Sequence, residues 1–148
     1  MSLNLFDKIN NEVKLYTKEL AYHVVGDPLV LTNLDKYLDI SLNHNLKVNI
    51  TTAASNLNKN QYETLIHKGI RQVNFSINSF NANDFKKSID DYLTPIFEFC
   101  QYSLDNKRDY FINLRIWNLD ESKSAKEFNK IVFEKANRYF DSQINGDE

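Results

Sequence analysis

Cysteine is nearly absent from this chain. Cys100 stands alone among 148 residues, so no internal disulfide, cysteine-rich zinc site or cysteine-ligated cluster can be built from these residues by themselves. Glycine is almost as scarce. Gly26, Gly69 and Gly146 are the only three, which excludes a Walker-type phosphate loop and a GxGxxG dinucleotide turn. Neither sign of charge dominates: 18 Lys and Arg against 20 Asp and Glu leave a net charge of −2, which argues against a basic nucleic-acid groove or an anionic-membrane surface. No apolar run reaches the roughly 18 residues of a membrane span, and the N-terminus lacks the charged-then-apolar order of a signal peptide. The chain is expected in the cytoplasm. What is present is an ordinary globular composition, 42% hydrophobic and 26% charged. A chain of this length forms a single domain, residues 1–148, that buries roughly two-thirds of its unfolded surface.

The periodicity alternates between helix and strand. Leu5, Ile9, Val13 and Tyr16 recur at helical spacing before a short apolar strand near 20–25. That strand stops at Gly26-Asp27-Pro28, where glycine permits a tight turn and proline ends the ladder. Thr32 with Asp35 resembles a capping pair for a helix bearing Leu34, Leu38 and Leu42. Residues 46–52 alternate with period two and read as a second strand. Asn58 and Gln61 offer the next cap, for a short helix through Tyr62, Leu65 and Ile66 closed by Gly69 at C′. A third strand covers 71–78. Thr94-Pro95 looks like an N-cap followed by proline at the first helical position, opening a helix over 96–104, with 84–93 open to either helix or loop. A fourth strand covers 110–117, and Ser124 with Glu127 caps a last helix with its stripe at Phe128, Ile131, Val132, Ala136 and Tyr139. A helix followed by four strand–helix units predicts an α/β fold: a parallel sheet of about four strands with helices on one face. A chain that opens on the helix before its first strand reads as a piece of a βα barrel, or of an open α/β sheet, whose preceding strand is missing. The edge of strand 20–25 carries no guarding lysine or proline over Ala21–Val25, so it is expected to pair, as a homodimer or with a partner.

The strands are not the continuous apolar runs of a parallel sheet covered on both faces. Asn49 and Thr51 oppose Val48 and Ile50; Asn74, Ser76 and Asn78 oppose Val73, Phe75 and Ile77; Asn113, Arg115 and Trp117 oppose Ile112, Leu114 and Ile116. His23 is able to stand on the matching face of the first strand. Burying so many unpaired polar side chains would cost about 1–3 kcal/mol each, so this face meets either water or a polar ligand. Where a strand hands over to a helix through a glycine turn, backbone groups gather at the carboxyl end of the sheet, which is where α/β folds bind ligands.

In order and spacing these residues resemble the radical S-adenosylmethionine enzymes, in the middle of their partial (β/α)6 barrel. The family's His-x-x-Gly-Glu-Pro-Leu turn stands here as His23-Val24-Val25-Gly26-Asp27-Pro28-Leu29. Thr51-Thr52 matches the end of its third strand, and Asn74-Phe75-Ser76-Ile77-Asn78-Ser79 a polar run on its fourth. The match covers about residues 20 to 120. The resemblance implies that Gly26, Asp27 and Pro28 cradle the methionine amino group of S-adenosylmethionine, that Thr51 adjoins the cofactor, that Ser76 and Asn78 face the ribose and that Arg115 pairs with the methionine carboxylate. His23, Asn49, Asn74, Asn113 and Trp117 would line the pocket. Val25 replaces a glycine, Asp27 is one methylene shorter than the usual Glu, and Ala53 replaces an asparagine or glycine. The family's CxxxCxxC loop, which holds a 4Fe–4S cluster that reduces the sulfonium and releases a 5′-deoxyadenosyl radical, has no counterpart in this sequence. The expectation is therefore a radical S-adenosylmethionine enzyme fragment of unknown substrate, inactive alone. The alternative is a non-catalytic α/β binding or interaction module that has lost the cluster.

The remaining candidates have plain structural readings. Cys100 beside Phe97 and Phe99 reads as a buried thiol. His44 and His67 sit near helix C-termini, where positive charge is favourable. His23 is either a satisfied core histidine or a ligand contact, and Trp117 either stacks on a flat ligand or closes the rim of the core.

Overall fold

The computed structural model describes residues 1–23, 26–78, 80, 87–116 and 123–142. Its contacts divide the chain into two compact units, Met1–Leu114 and Arg115–Glu148. The first unit opens with α1 (Leu3–Val13), capped by the Ser2 hydroxyl, which accepts the Leu5 N–H at 3.3 Å. Then come β1 (Glu19–Tyr22), a 3-10 turn at Pro28–Val30, α2 (Leu34–Asn43), β2 (Lys47–Thr52), a 3-10 turn at Lys59–Gln61 that runs into α3 (Tyr62–Leu65), β3 (Ile70–Ser76), α4 (Ile89–Asp105) and β4 (Phe111–Arg115), whose last residue falls in the second unit. The second unit carries α5 (Lys123–Phe140), which buries Phe128, Val132 and Ala136 at four-residue spacing.

The four strands form one parallel sheet in the order β1-β2-β3-β4. The α/β class and the parallel sheet of four strands are as the sequence predicts. Register fixes the faces. Tyr22 lies beside Ile50, Ile50 beside Val73 and Thr52 beside Phe75, so these side chains share one side, and Ala21, Asn49 and Gln72 share the other, with Thr51 beside Asn74. A register shift at Val48–Asn49 lets Ile70 and Gln72 face consecutive β2 residues.

Helices α1, α2 and α4 pack on the apolar face. Phe6 of α1 meets Tyr22 edge-on at 5.9 Å, the Tyr22 hydroxyl lies 2.8 Å from Ser41 of α2, and Phe99 of α4 meets Phe75 at 5.7 Å. Ile50, Val73, Phe75, Ile77, Phe99 and Ile96 have no exposed surface. One polar strand of bonds crosses this layer. Ser41 donates to Asn10 Oδ1 at 2.7 Å and Asn10 donates to the Phe6 carbonyl at 2.8 Å, so two polar residues bury without an orphan. Burial pushes the Tyr22 phenol up to about 12, with the Ser41 hydrogen bond pulling the other way.

Several local expectations differ from the structure. The stripe Leu5, Ile9, Tyr16 faces outward, at 50%, 36% and 88% exposure, because α1 instead turns Phe6 and Asn10 toward Tyr22 and Ser41. Helix α2 is preceded by Asn33 with no side-chain cap bond, and Thr32 is exposed in a turn. Asn58 and Gln61 do form the expected reciprocal cap. Gly69 is not a C′ residue: α3 ends at Leu65, and a Cβ on Gly69 would meet the His67 ring at 3.0 Å and the Leu38 carbonyl at 3.2 Å, so a side chain there would need these neighbours to give by a few tenths of an ångström. Helix α4 starts at Ile89 rather than Pro95. The Ser88 hydroxyl accepts the Asp91 N–H at 3.1 Å, and burial of Tyr92 and Leu93 holds the added turn, with Pro95 inside the helix. Ser124 lies within α5.

Candidate functional site

Two structures stand at the carboxyl end and on the polar face of the sheet: a stapled turn and a ladder of amides. The turn follows β1. His23 is exposed beyond the end of that strand, and Val24 and Val25 lie outside the described residues. Gly26 has φ +95, a conformation that L side chains rarely adopt, although nothing lies within 4 Å of where its Cβ would be. Glycine is required here by backbone conformation and not by crowding. Pro28 then occupies the first position of the 3-10 turn and is buried.

The Asp27 carboxylate faces the protein. It accepts the Leu29 N–H at 2.9 Å and the Ala53 N–H at 2.8 Å, and the Thr52 hydroxyl is 2.8 Å from both of its oxygens. Thr52 in turn accepts the Ala54 N–H at 2.9 Å. Asp27 therefore ties the turn after β1 to the end of β2. Tyr92 of α4 continues the tie, donating to the Ala53 carbonyl at 2.8 Å and lying 3.3 Å from the Ser76 carbonyl. Burial first, and the Asp27 charge second, push the Tyr92 phenol up, so it stays a donor.

The ladder occupies the face away from α1, α2 and α4. Asn74, only 2% exposed, donates to the Ile50 carbonyl at 3.1 Å and to Thr51 Oγ1 at 3.2 Å. Its own Oδ1 accepts from Gln72 at 2.7 Å and from Asn113 at 2.9 Å. Asn49 donates to Glu19 at 3.0 Å, and Glu19 is also paired with Arg71. Asn49 Oδ1 is buried and has no hydrogen-bond partner among the described residues.

The sequence-named residues are thus placed unequally. Thr51, Asn74 and Asn113 come together in one network with Gln72, and Asn49 stands on the same face in a separate set with Glu19 and Arg71. Ser76 ends β3 half-buried, and Asn78 sits half-buried in the turn beyond it. Arg115, exposed at the end of β4, belongs to the second unit, and Trp117 lies outside the described residues. Glu19 and Gln72 were not singled out in the sequence, and Thr52 only as the second half of the Thr51-Thr52 strand end. The first two carry the period-two signal of the ladder, since Gln72 precedes Asn74 and Ser76 by the same step and Glu19 shares the face of Ala21. Thr52 points to the other side of β2 and gives no such signal.

A cleft of about 280 Å³ lies elsewhere, lined by residues such as Leu29, Val30, Leu34, Asn58 and Gln61, and contains none of the sequence-named site residues. Cys100 is mostly buried, and burial pushes its thiol up to about 12, which suits a structural role. Among the described residues no three His, Cys, Asp or Glu side chains are grouped to hold a metal, and no helix is long and apolar enough to cross a membrane. Compared with known proteins, the chain matches no family model, no curated protein and no solved structure.

Proposed function

We propose that this chain is the central part of a partial (β/α)6 barrel of the radical S-adenosylmethionine kind, and that the polar face of its sheet binds the adenosyl cofactor. The observation that carries this reading is the one-sided winding. Strands in the order β1-β2-β3-β4 place α1, α2 and α4 on one face, whereas a doubly wound sheet divides its helices between both. A parallel sheet with an amide-lined second face suits the inner wall of a barrel arc better than an open sheet. The Gly26 turn and the Thr51–Thr52 end of β2 lie side by side through Asp27, as the resemblance requires of a cofactor cradle.

The residues present fit the two groups differently. For S-adenosylmethionine there are turn backbone groups, the Thr51 hydroxyl and the Ser76 and Asn78 side chains. The Asp27 carboxylate serves the cradle as a positioning residue, and the role of Arg115 is carried by the resemblance alone. For a 4Fe–4S cluster the fit fails, because the single thiol, Cys100, is buried in α4 and held protonated. No reductive step is assigned to this chain. The same fact favours the second reading, a binding module that works without a cluster. β1 is an edge of the sheet, and we assign that edge to a further strand, which in the isolated chain a second copy supplies. A strict monomer in light scattering at high concentration removes that part of the proposal.

Nuclear magnetic resonance titration of the chain with S-adenosylmethionine tests the cofactor site. Neutral hydrogen bonds contribute about 0.5–1.5 kcal/mol each, against at least about 4 kcal/mol for association, so millimolar affinity is expected. Shifts should gather on Gly26, Thr51, Asn74, Ser76 and Asn113. Shifts confined to the cleft at Val30 and Gln61, or none at millimolar cofactor, overturn the reading. Micromolar affinity would favour the cluster-independent module.

A further inference from the structure

One flank of α1 and one edge of the sheet lie uncovered on the same side of the first unit. At about 100° per residue, Asp7 and Lys14 lie to one side of Phe6, and both approach His44 at the end of α2. Leu5, Ile9 and Tyr16 lie about as far round to the other side, and all three are exposed. Since α2 runs from β1 to β2, the flank of α1 turned away from α2 is the one beside the unpaired edge of β1. The Lys47 N–H donates to the Lys18 carbonyl, so residues 18, 20 and 22 bond toward β2, and Glu19 and Ala21 hold their main-chain groups outward. The Thr17 hydroxyl closes on Glu19, accepting its N–H at 3.1 Å and donating to its carbonyl at 3.0 Å, while Ala21 is exposed.

From this juxtaposition we infer that the stripe of Leu5, Ile9 and Tyr16 is the contact surface for α1 of a second copy of this chain, packed antiparallel across a two-fold axis normal to the sheet. The inference rests on the assignment of the β1 edge to a second copy, and it names the helix that comes with that strand. Only an axis in this direction pairs β1 with itself and leaves both α1 helices on one face. Opposed residues of an antiparallel pair share a face, so the axis passes through a residue. Centred on Leu20, it sets Glu19 of each copy against Ala21 of the other, the two residues whose main-chain groups point outward, and keeps the two Glu19 charges apart. Thr17 then yields Glu19 to the new strand. The helix selects the same axis. Phe6 meets Tyr22, and four residues of helix, about 6 Å, span nearly as much as two of strand, so Asn10 stands over Leu20. Lys8 and Glu12 are symmetric about Asn10, and Leu5 and Tyr16 nearly so. Both charges flank the stripe on its solvent side, exposed, and make no ion pair with each other or with another described residue. The axis brings Lys8 of each copy to Glu12 of the other, two ion pairs beside an apolar seam, whereas parallel α1 helices would set Lys8 against Lys8.

Sedimentation equilibrium of the intact chain at low salt, with hydrogen exchange at the Ala21 amide, tests the surface. The parent chain should dimerise, and Ile9→Asp should raise the dissociation constant at least about tenfold by placing a carboxylate in the seam. Tyr16→Asp, at the most exposed position of the stripe, gives the same readout if the first variant does not fold, and retained spectral dispersion shows that each variant is folded. Lys8→Glu and Glu12→Lys should each weaken the dimer about fivefold, since each sets like charges together twice. Mixed in equal amounts, these two variants should form a heterodimer as tight as the parent, because both contacts are then of opposite sign; a single helix packed on some other surface gives no such recovery. A dimer indifferent to the stripe variants, with no preference for the heterodimer, overturns the inference, and protection of the Ala21 amide in that dimer leaves the edge assignment standing. A dimer that the stripe variants weaken but in which the Ala21 amide exchanges freely keeps the helix contact and removes the edge assignment. A strict monomer overturns both.

Discussion

The two faces of this sheet are made by the same strands and governed by different physics. On one, Ile50, Val73 and Phe75 have no exposed surface and lie under α1, α2 and α4. Their contribution is non-directional and follows the apolar area removed from water. On the other, Gln72, Asn74 and Asn113 hold one another in fixed orientations and Glu19 holds Asn49, while contributing little net stability. Residues one step apart on β2 thus answer to different demands: Ile50 to packing density, Asn49 to the direction of an oxygen. Stability resides on the helix side, and the amide side is the one proposed to meet a ligand.

The sharpest test of that division is Phe75→Ala, which should cost about 3–5 kcal/mol in urea unfolding through loss of a fully buried ring and of its contact with Phe99. Next comes alkali. The folded Cys100 thiol sits at about 12 against its ordinary 9.0, and Tyr22 at about 12 against 10.0, chiefly through burial. Both are raised and both are neutral when protonated, so their contribution is complete below the ordinary value and is lost as pH climbs toward the folded value. Unfolding experiments should show stability falling from about pH 9, by about 3 kcal/mol near pH 11 from Cys100 alone, and Cys100→Ala should remove that onset. Asp27→Ala, at the seam between the two faces, should cost about 2 kcal/mol and speed hydrogen exchange at the Leu29 and Ala53 amides. Smallest is Asn49→Leu, within about 1 kcal/mol of the parent, because the bond lost to Glu19 is offset by removing a buried unpaired oxygen. A cost as large as that of Phe75→Ala would erase the distinction between the faces.

The strands and their two faces were legible because alternation is local: Val48-Asn49-Ile50-Thr51 declares its sides whatever packs above. Helix faces were less so. Spacing in α1 marks Leu5 and Ile9 as readily as Phe6 and Asn10, and the choice is made by Tyr22 and Ser41, which lie far along the chain. The start of α4 was misplaced because Thr94-Pro95 carries the cap signature, although Ser88 with Asp91 carries one too. Burial of Tyr92 decides between them. At the site, the amide ladder was visible as a pattern, but the inward aim of Asp27 was not. It depends on Thr52, a residue on the opposite face of a neighbouring strand.

The sequential order β1-β2-β3-β4 also governs how the chain can assemble. Each strand docks on the strand made just before it, so every pairing closes a loop of one helix and its connections, and none waits for a distant segment. Loop-closure entropy stays modest at each step and contact order stays low for a parallel sheet. Synthesis at about 5–20 residues per second delivers each strand after its neighbour, so growth of the sheet in the direction of translation is the expected order of assembly.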